Sequence, residues 1–450
     1  MEINQFQELL FAHAKECGLQ DYELYYSSNK SLNINSYEET VDEFSLSESK
    51  GVSFRCIVNG KMGYSFTEKI CEDEVTALVE RAMESAYYIE NDDTETIYDG
   101  LESYREVDSY SRELDSASVD EKINLVVGLE NVAKNINEAV KHNAACKYIE
   151  FGDETVISNS KGLHVMHKQN KAVIYVVPVV KHEDANVIGL HFKIVQDLNE
   201  IDIQEIASIA VNEALSKVGA KSVKSGSYKV VIQNQAMAQL LQTYGGVFSS
   251  ENTQKGLSLL VNKEGEKIAS SSVTIIDNPH LKGAIQSSPF DSEGVATFPK
   301  NVVSEGVLTT LLYNLKTALK DNKKSTGNGY KSNYKSPVSV TPSNFYIQVG
   351  EKSFEQLLQN VGDGVIITEL EGTHAGANPL TGDFSLAARG FLIENGLKTR
   401  PVEQITLSGN FFEVLKKIEM VGEDLEFIFP YNGYYGSPSV IVSSLSIAGE

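Results

Sequence analysis

The chain has 450 residues, a net charge of −23, and ordinary fractions of apolar (41%) and charged (22%) residues. This length predicts two or three domains with large cores, and the negative charge argues against direct nucleic-acid binding because it repels phosphate. Four cysteines without CxxC spacing indicate reduced thiols and exclude both a disulfide framework and a cysteine-based zinc site.

The first segment, "MEINQFQELLFAHAKECG", has the spacing of an amphipathic helix and lacks the basic start and unbroken apolar core of a signal peptide. Apolar runs elsewhere fall short of the ~20 residues that cross a bilayer. We therefore expect a cytoplasmic protein with no membrane segment.

The next hundred residues combine strand and helix patterns. Asn59 and Gly60 separate two β-rich runs, which predicts a tight hairpin. Residues 71–90 have the 3.6-residue period of a helix, and the polar stretch 91–116 predicts a long surface loop. A capping box that begins at Ser118 predicts the start of another helix.

A change in composition divides the chain near its middle. Residues 145–197 are again β-rich, and 202–220 predict a helix. The small, polar segment 221–227 is typical of a linker between domains. The sequence therefore predicts an α+β fold of two domains, a mixed α/β sheet domain over 1–221 and a β-rich domain with few helices over 222–450.

The second half begins with the strand "YKVVIQ" and the helix "NQAMAQLLQTYGG", and strands dominate from Val273 onward. A loop over 320–337 is rich in Lys, Ser, Gly and Asn. Between Lys316 and Lys335 there are six lysines against one acid, Asp321, which reverses the charge of the chain locally. This lysine-rich loop is either a solvated segment or a contact for an acidic segment of a partner or substrate.

Common catalytic and metal-binding motifs are missing from the sequence. There is no HExxH or HExxxH, no GxSxG and no Walker-type loop. The only close pair of histidines, His164 and His167, falls in a β-rich segment, where an i, i+3 pair points to opposite faces of the strand. The sequence therefore predicts no metal ligands and no catalytic residues of a known type.

The segment "EGTHAGANPLTGDFSLAARGF" over 371–391 is the strongest candidate for a functional loop. Four glycines and a proline permit unusual backbone conformations and close approach of a ligand. It is either a ligand or interface loop or a structural turn. Its polar side chains that could bind a peptide or a partner are Thr373, His374, Asn378, Thr381, Asp383 and Ser385.

The sequence resembles the TldD/PmbA family over nearly its whole length, and specifically its PmbA (TldE) branch. The segments that carry the resemblance are "DSEGVATFPKNVVSEGVLTTLLYNLKTAL" (291–319), "EGTHAGANPLTGDFSLAARGFLIENG" (371–396), "PVEQITLSGNFFEVLKKI" (401–418) and "GSPSVIVSSLSIAG" (436–449), with "KGVSFRCIVNGKMGYSFTE" (50–68) and "VISNSKG" (156–162) in the first half.

The resemblance implies a pair of related subunits. The TldD-type member is a zinc metalloprotease with HExxxH on the first helix of its C-terminal domain and a cysteine farther on, and the PmbA-type member lacks these ligands. Here the His, Glu and His positions align with Gln242, Thr243 and Val247, and no cysteine follows Cys146. Zinc is therefore expected only in a TldD-type partner, because valine cannot coordinate it and threonine is not a general base at neutral pH.

The resemblance implies a non-catalytic subunit of a TldD/TldE metallopeptidase complex that degrades or trims unfolded and leader peptides. The 371–391 loop would shape the interface or a substrate channel, and the chain alone would form a homodimer. Arg389 departs from the small residues that relatives carry there. The family's other name, modulator of DNA gyrase, implies no DNA binding by so acidic a chain. The alternatives are a stand-alone peptide-binding protein and a hydrolase with an unrecognised site around His374, Asp383 and Ser385.

Overall fold

The structure is a computed structural model that describes residues 1–90, 93–183, 185–430 and 433–450. It confirms the α+β class. The helices are α1 (Ile3–Glu16), α2 (Glu72–Tyr87), α3 (Arg112–Ser116), α4 (Val119–Asn135), α5 (Ile203–Ser216), α6 (Asn234–Tyr244), α7 (Ser250–Gln254), α8 (Leu315–Lys320), α9 (Phe354–Val361), α10 (Thr373–Gly376) and α11 (Phe411–Lys417).

The strands fall into two groups along the chain. The first group is β1 (Tyr22–Tyr37), β2 (Thr40–Val58), β3 (Lys61–Thr67), β4 (Val140–Asn159), β5 (His164–His182), β6 (Ala185–Ile188) and β7 (His191–Val195). The second group is β8 (Gly226–Ile232), β9 (Ile275–Asp277), β10 (Lys300–Ser304), β11 (Val307–Leu308), β12 (Gly329–Tyr330), β13 (Ser339–Val340), β14 (Asn344–Ile347), β15 (Gly364–Glu371), β16 (Asp383–Glu394), β17 (Leu397–Asn410), β18 (Ile418–Val421), β19 (Glu426–Phe427), β20 (Tyr434–Ser437) and β21 (Val440–Ala448).

The first group forms one antiparallel sheet, in the order β3-β2-β1-β4-β5-β6, with β7 also paired to β5. Asn59 and Gly60 join β2 to β3 with φ angles of 51° and 80°. These left-handed conformations confirm the predicted Asn-Gly hairpin, because such a turn needs φ > 0 at both central residues.

One face of this sheet is covered by helices. Phe6 and Leu10 of α1 lie one helical turn apart and pack against Leu24 of β1, and α4 and α5 cover the other end of the same face. Of the capping box predicted here, the Ser118 half is present, because its hydroxyl accepts a hydrogen bond from the Glu121 amide at 3.2 Å and so caps α4. Because strand side chains alternate, the opposite face of the sheet carries a separate set of residues.

The second group contains a closed barrel. The strands β17, β16, β15, β8 and β21 pair in that order, and β21 pairs back to β17. Only β8 and β15 run parallel within this ring. A second sheet has the order β11-β10-β9-β14-β20-β19. Helix α6 shares one large apolar core with strands of both, so its position is fixed from two sides.

The two halves of the chain meet on the helix-free face of the first sheet. Gly51 of β2 packs against the Tyr334 ring, which would be only 2.5 Å from a Cβ at that position. The sheets separate into 22–195 and 226–448, so residues 221–225 of the predicted linker precede the second group of strands, whereas 226 and 227 already belong to β8; the domain boundary itself stays a prediction. Within the described ranges, no helix is both long enough and apolar enough to cross a membrane.

Candidate functional site

Helix α6 carries the positions where a zinc motif is expected in the catalytic relatives. Its first residue is anchored because the Asn234 amide donates to the Ser439 hydroxyl at 3.1 Å, and the Asn234 side chain donates to the Asp424 carbonyl at 3.0 Å. The helix ends at Tyr244, and a 3-10 turn, Gly245–Phe248, follows. Gly245 is required there, because a Cβ would lie 2.6 Å from the Tyr435 hydroxyl.

The residues at the three motif positions do not fit a zinc ion. The Thr243 hydroxyl donates to the Gln239 carbonyl at 2.8 Å, one turn back along α6. Val247 lies beyond the end of α6, is only 2% exposed, and belongs to the main apolar core. Gln242 is half-buried. No cluster of three or more His, Cys, Asp or Glu side chains in the described part of the chain could hold a metal. A zinc site needs three protein ligands and an open position, and this donor set does not supply them.

Within the segment 371–391, residues 372–382 form a compact turn between β15 and β16, whereas Asp383 and Ser385 already lie on β16. Gly372, with φ of 77°, leads into the single turn of α10. The Asn378 carbonyl accepts from the Gly382 amide at 2.8 Å, and its side-chain oxygen accepts from the Leu380 amide at 3.0 Å. Gly382 has φ of 83°. The asparagine and the two glycines therefore fix the backbone of this loop.

The polar side chains of the loop lie on its surface and bond mainly to the neighbouring strand. Asp383 accepts a hydrogen bond from the Asn410 side chain at 2.9 Å, and this bond holds the pKa of its carboxyl below the usual value. The Ser385 and Ser408 hydroxyls lie 3.2 Å apart. His374, Asn378 and Thr381 are exposed and Thr373 is half-buried.

The three residues of the hydrolase alternative are not linked to one another. Among the hydrogen bonds of the described residues, none joins His374 to Asp383 or to Ser385, which bond instead to β17 as above. A nucleophile and its base need hydrogen-bond reach. The geometry therefore gives no relay that would activate Ser385.

Tyr244 connects α6 directly to this loop. Its hydroxyl donates to the Asp383 carbonyl at 2.9 Å, and its ring stacks on Phe411 with centroids 4.6 Å apart. The Phe411 amide donates to the Gly382 carbonyl at 2.7 Å. Burial raises the pKa of Tyr244 to about 12, so the phenol stays a donor. The end of α6 and the base of the loop thus form one site.

The lysine-rich segment 316–335, whose first lysines lie in α8, contacts acidic residues of its own chain. Lys316 pairs with Asp93 at 3.2 Å and with Glu95 at 2.9 Å. Lys335 pairs with Glu68 at 2.6 Å. These acids belong to the first half of the chain, so the local reversal of charge holds the two halves together, and an external acidic partner is not needed to explain it.

A buried charged cluster, which sequence reasoning missed, lies on the same interface. Arg55 of β2 donates to Glu23 at 2.8 Å and to Glu293 at 3.4 Å. All three side chains are less than a tenth exposed. Burial and the two carboxylates act on the Arg55 guanidinium in opposite directions, and the net effect raises its pKa. Arg55 and Glu293 lie in segments that carry the family resemblance, 50–68 and 291–319, whereas Glu23 lies outside them.

The two histidines of the close pair and Arg389 bond to neighbouring side chains. His164 and His167 lie on β5 as predicted, with His164 bonded to the Ser158 hydroxyl at 2.8 Å and His167 to the Ser109 hydroxyl at 3.2 Å. Arg389 pairs with Glu371 at 2.8 Å, at the start of the candidate loop.

Three family models match three consecutive regions of the chain. Family models described as PmbA/TldA metallopeptidase domain 1, central domain and C-terminal domain match residues 22–86, 112–218 and 225–449. The chain belongs to the PmbA/TldD family. Its three matched regions include both strand groups, so the family membership covers the whole fold.

Relatives in this family carry metalloprotease names. A metalloprotease of Archaeoglobus fulgidus is 28% identical over 404 residues, which are 89% of this chain and 91% of that protein. The metalloprotease PmbA of Escherichia coli O157:H7 is 26% identical over 334 residues, 74% of this chain and 71% of the relative.

Solved structures show the same architecture. A Thermotoga maritima protein described as a modulator of a DNA gyrase has a TM-score of 0.92 and 32% identity over 99% of this chain and 100% of that chain. TldE from Thermococcus kodakarensis has a TM-score of 0.90 with 99% and 100% coverage, and its 22% identity shows the fold alone.

In this PmbA/TldD chain, the "DSEG" segment, residues 291–294, forms a turn that is held by the buried Asp291 carboxylate. Asp291 is buried, and its carboxylate accepts from the amides of Glu293 at 2.9 Å, Val295 at 3.0 Å and Gly329 at 2.8 Å. Gly294 has φ of 77° in the resulting turn. This turn points Glu293 at Arg55 and so supports the contact between the two halves.

Proposed function

We propose that this chain is a non-catalytic PmbA/TldE-type subunit of a two-component zinc metallopeptidase that degrades or trims unfolded and leader peptides. One observation carries the proposal. In a family described by its metallopeptidase domains, the positions of the zinc motif hold a core valine, a threonine whose hydroxyl bonds to its own helix, and a glutamine. Zinc and the general base would come from a TldD-type partner.

A groove beside the barrel supports a role in positioning peptide. A cavity of about 720 Å³ lies beside the start of the 371–391 loop, between the β5–β6 hairpin and the barrel, and Thr368, Glu371 and Arg389 line it. The Glu371–Arg389 pair is half-exposed, so both groups can exchange their contact for a polar chain. A rigid loop and an adjacent groove suit an extended substrate better than a chemical centre.

Reconstitution of activity tests this proposal. The chain would be purified alone and together with the HExxxH relative of its own organism, and cleavage of an unfolded peptide would be followed. We expect cleavage only when both chains are present, and none when the motif glutamate of the partner is replaced by glutamine. Cleavage by this chain alone would overturn the proposal.

The remaining properties of the subunit are proposals of the same kind. A cytoplasmic location, a homodimer in the absence of the partner and the lack of direct nucleic-acid binding fit the net charge of −23 and the apolar pattern of the sequence. Gel filtration of the isolated chain tests the homodimer, and a filter-binding assay with duplex DNA at physiological salt tests the last property.

A further inference from the structure

A polar cavity of about 270 Å³ lies between the first sheet and the second half of the chain. Its floor is the helix-free face of the sheet, where Ser27 and Asn29 of β1 lie on the same side as Asp153 of β4. Its other wall comes from residues within 286–292 and 330–333. At about 30 Å³ for each water, the cavity has room for about nine waters, and so for the end of one long side chain.

Two hydroxyls that line this cavity lack hydrogen-bond partners among the described residues. Ser27 is 5% exposed, and neither its Oγ nor the Tyr330 Oη is bonded. A buried polar group without a partner is costly, so native structures satisfy nearly all of them. The cavity is therefore built for a polar occupant.

Asp153 is a carboxylate that forms no ion pair with any of the described residues. One of its oxygens accepts a hydrogen bond from the Gln169 side chain at 3.1 Å, and the other accepts from Asn29 at 3.1 Å, with that amide oriented to donate. Burial raises the pKa of Asp153, and the bond from Gln169 offsets only part of that effect. The two bonds fix the orientation of the carboxylate and leave each oxygen with a further lone pair.

Lys331 lines the cavity but does not neutralise Asp153. Its ammonium donates to the Ser53 hydroxyl at 2.9 Å and lies 4.5 Å and 5.0 Å from the centres of the Tyr25 and Tyr64 rings. Ser53 is on β2, and β1 separates β2 from β4. The ammonium is therefore bound roughly 10 Å across the sheet from the strand of Asp153.

Two further titratable side chains of the lining, His167 and Asp291, supply no cation either. His167 bonds to the Ser109 hydroxyl at 3.2 Å, and burial lowers its pKa to about 4, so its ring is neutral at pH 7. Asp291 is buried, and its two oxygens accept three backbone amides. The Asp291 carboxylate is therefore committed to the fold, and Asp153 is left as the carboxylate that can accept bonds from a cationic ligand.

The positions of the free acceptors indicate which cation fits. Ser27 and Asp153 are diagonal neighbours on β1 and β4, with their Cα atoms roughly 7–8 Å apart. A ligand between them needs several donors that point in different directions. A guanidinium has a positive charge, five N–H donors in a planar fork and no acceptor. Two of its N–H groups match the two free lone pairs of the carboxylate, and a third faces the serine hydroxyl.

We propose that this cavity binds a guanidinium group, with Asp153 as its anionic partner and the Ser27 and Tyr330 hydroxyls as further acceptors. The source that we assign is the side chain of an arginine in a peptide, and this choice rests on the proposed function. Ser332 lines the cavity and is exposed, so the cavity reaches the surface there and the peptide backbone would stay outside.

Titration calorimetry of the isolated full-length chain with N-acetyl-arginine amide tests the proposal. We expect binding of this ligand, and at least about tenfold weaker binding of N-acetyl-citrulline amide, which has nearly the same shape but no charge. Free arginine should bind no more tightly than the blocked form, because the α-amino and α-carboxylate groups would remain outside the cavity.

Three variants of the chain locate the site. Asp153→Asn should weaken the arginine ligand at least about tenfold and remove its advantage over citrulline. Ser27→Ala should weaken it about fivefold without lowering stability, because the hydroxyl has no partner in the free chain. Glu80→Gln, which removes an exposed charge of α2 outside the cavity, should leave the affinity unchanged.

Equal affinity for the arginine and citrulline ligands, or no binding of N-acetyl-arginine amide at millimolar concentration, would overturn the proposal. Binding of free arginine without binding of the blocked form would also overturn it, because the site would then take a free amino acid. The citrulline comparison uses the unmodified chain, so it stays valid if the Asp153→Asn chain does not fold. The titration uses neither a partner subunit nor cleavage, so its failure is distinguishable from failure of the proposed metallopeptidase role.

Discussion

Arg55 is expected to have a large effect on stability, because it is buried between two carboxylates from different halves of the chain. Glu23 is adjacent in the sheet and Glu293 comes from a turn held by Asp291. Removing one partner from a buried charged group leaves the others uncompensated. The stability of the contact between the two halves therefore depends more on the Arg55 guanidinium than on the exposed ion pairs between the halves.

We expect Arg55→Ala to lower the free energy of unfolding by about 3–5 kcal/mol, because two buried carboxylates lose their cation. Arg81→Ala is the matched control, since Arg81 pairs with Glu74 at a half-exposed site and should cost less than about 1 kcal/mol. Denaturant unfolding measures both. Equal effects of the two substitutions would show that the buried cluster contributes no more to the free energy of unfolding than an exposed ion pair does.

His167 predicts a dependence of stability on pH. Burial lowers its pKa to about 4, whereas an unfolded histidine titrates near 6.5. Between these values the unfolded chain binds more protons, so this contribution to stability is complete above about pH 6.5 and is lost as the pH falls towards 4. On going from about pH 7.5 to about pH 5.5, His167→Gln should lose about 1 kcal/mol less than the parent chain. An identical pH profile for the two chains would contradict this assignment.

The end of α6 explains why its motif positions cannot work together. Gln242 lies within the helix and Val247 lies beyond its end, in the core. Residues five apart lie about 140° apart around an α-helix, so these two positions would not share a face even if α6 continued, and here the helix ends between them. Tyr244, the last residue of α6, holds the 371–391 loop through the hydrogen bond from its hydroxyl to the Asp383 carbonyl.

Tyr244→Phe should lower stability by about 1 kcal/mol, because the Asp383 carbonyl loses its donor. Faster hydrogen exchange of amides in 378–384 should accompany the loss. Tyr346→Phe is the control, since the Tyr346 ring packs on Phe427 and its hydroxyl has no hydrogen bond among the described residues. Unchanged exchange in the loop would show that Tyr244 does not hold it.

Introducing the His, Glu and His residues of the zinc motif at positions 242, 243 and 247 should not create a zinc site. We expect the triple variant Gln242→His, Thr243→Glu, Val247→His to bind no stoichiometric zinc and to lose about 2–4 kcal/mol of stability, because an imidazole would replace a core valine. Metal analysis and thermal unfolding measure this, with the Gln242→His, Thr243→Glu double variant as control. Tight zinc binding without loss of stability would show that the positions remain in ligand geometry.

Local elements could be predicted because their signals are local. The Asn59–Gly60 turn, the Ser118 cap and the amphipathic spacing of α1 each lie within a few residues. Closure of the barrel by pairing of β17 with β21 could not be predicted, since register between distant strands leaves no mark on either one. The α6 motif positions were found only through resemblance to relatives.

At the scale of the whole molecule, two β-rich halves meet on a polar face that holds much of the buried charge. The lysine-rich loop was visible in the sequence, but its partners were not, because Glu68 and Asp93 lie more than two hundred residues away. The pairing of Arg55 with Glu293 was invisible for the same reason. In a strand whose apolar and polar residues alternate, a single charged residue has the sequence pattern of a surface residue, even where the second half of the chain covers it in the structure.

The measurement that tests the central claim most directly is the zinc content of this chain, purified alone and in complex with its HExxxH relative. We predict no stoichiometric zinc in the isolated chain, and metal in the complex that follows the amount of the partner. Stoichiometric zinc in the isolated chain would contradict the account, because it would require ligands that the described residues do not bring together.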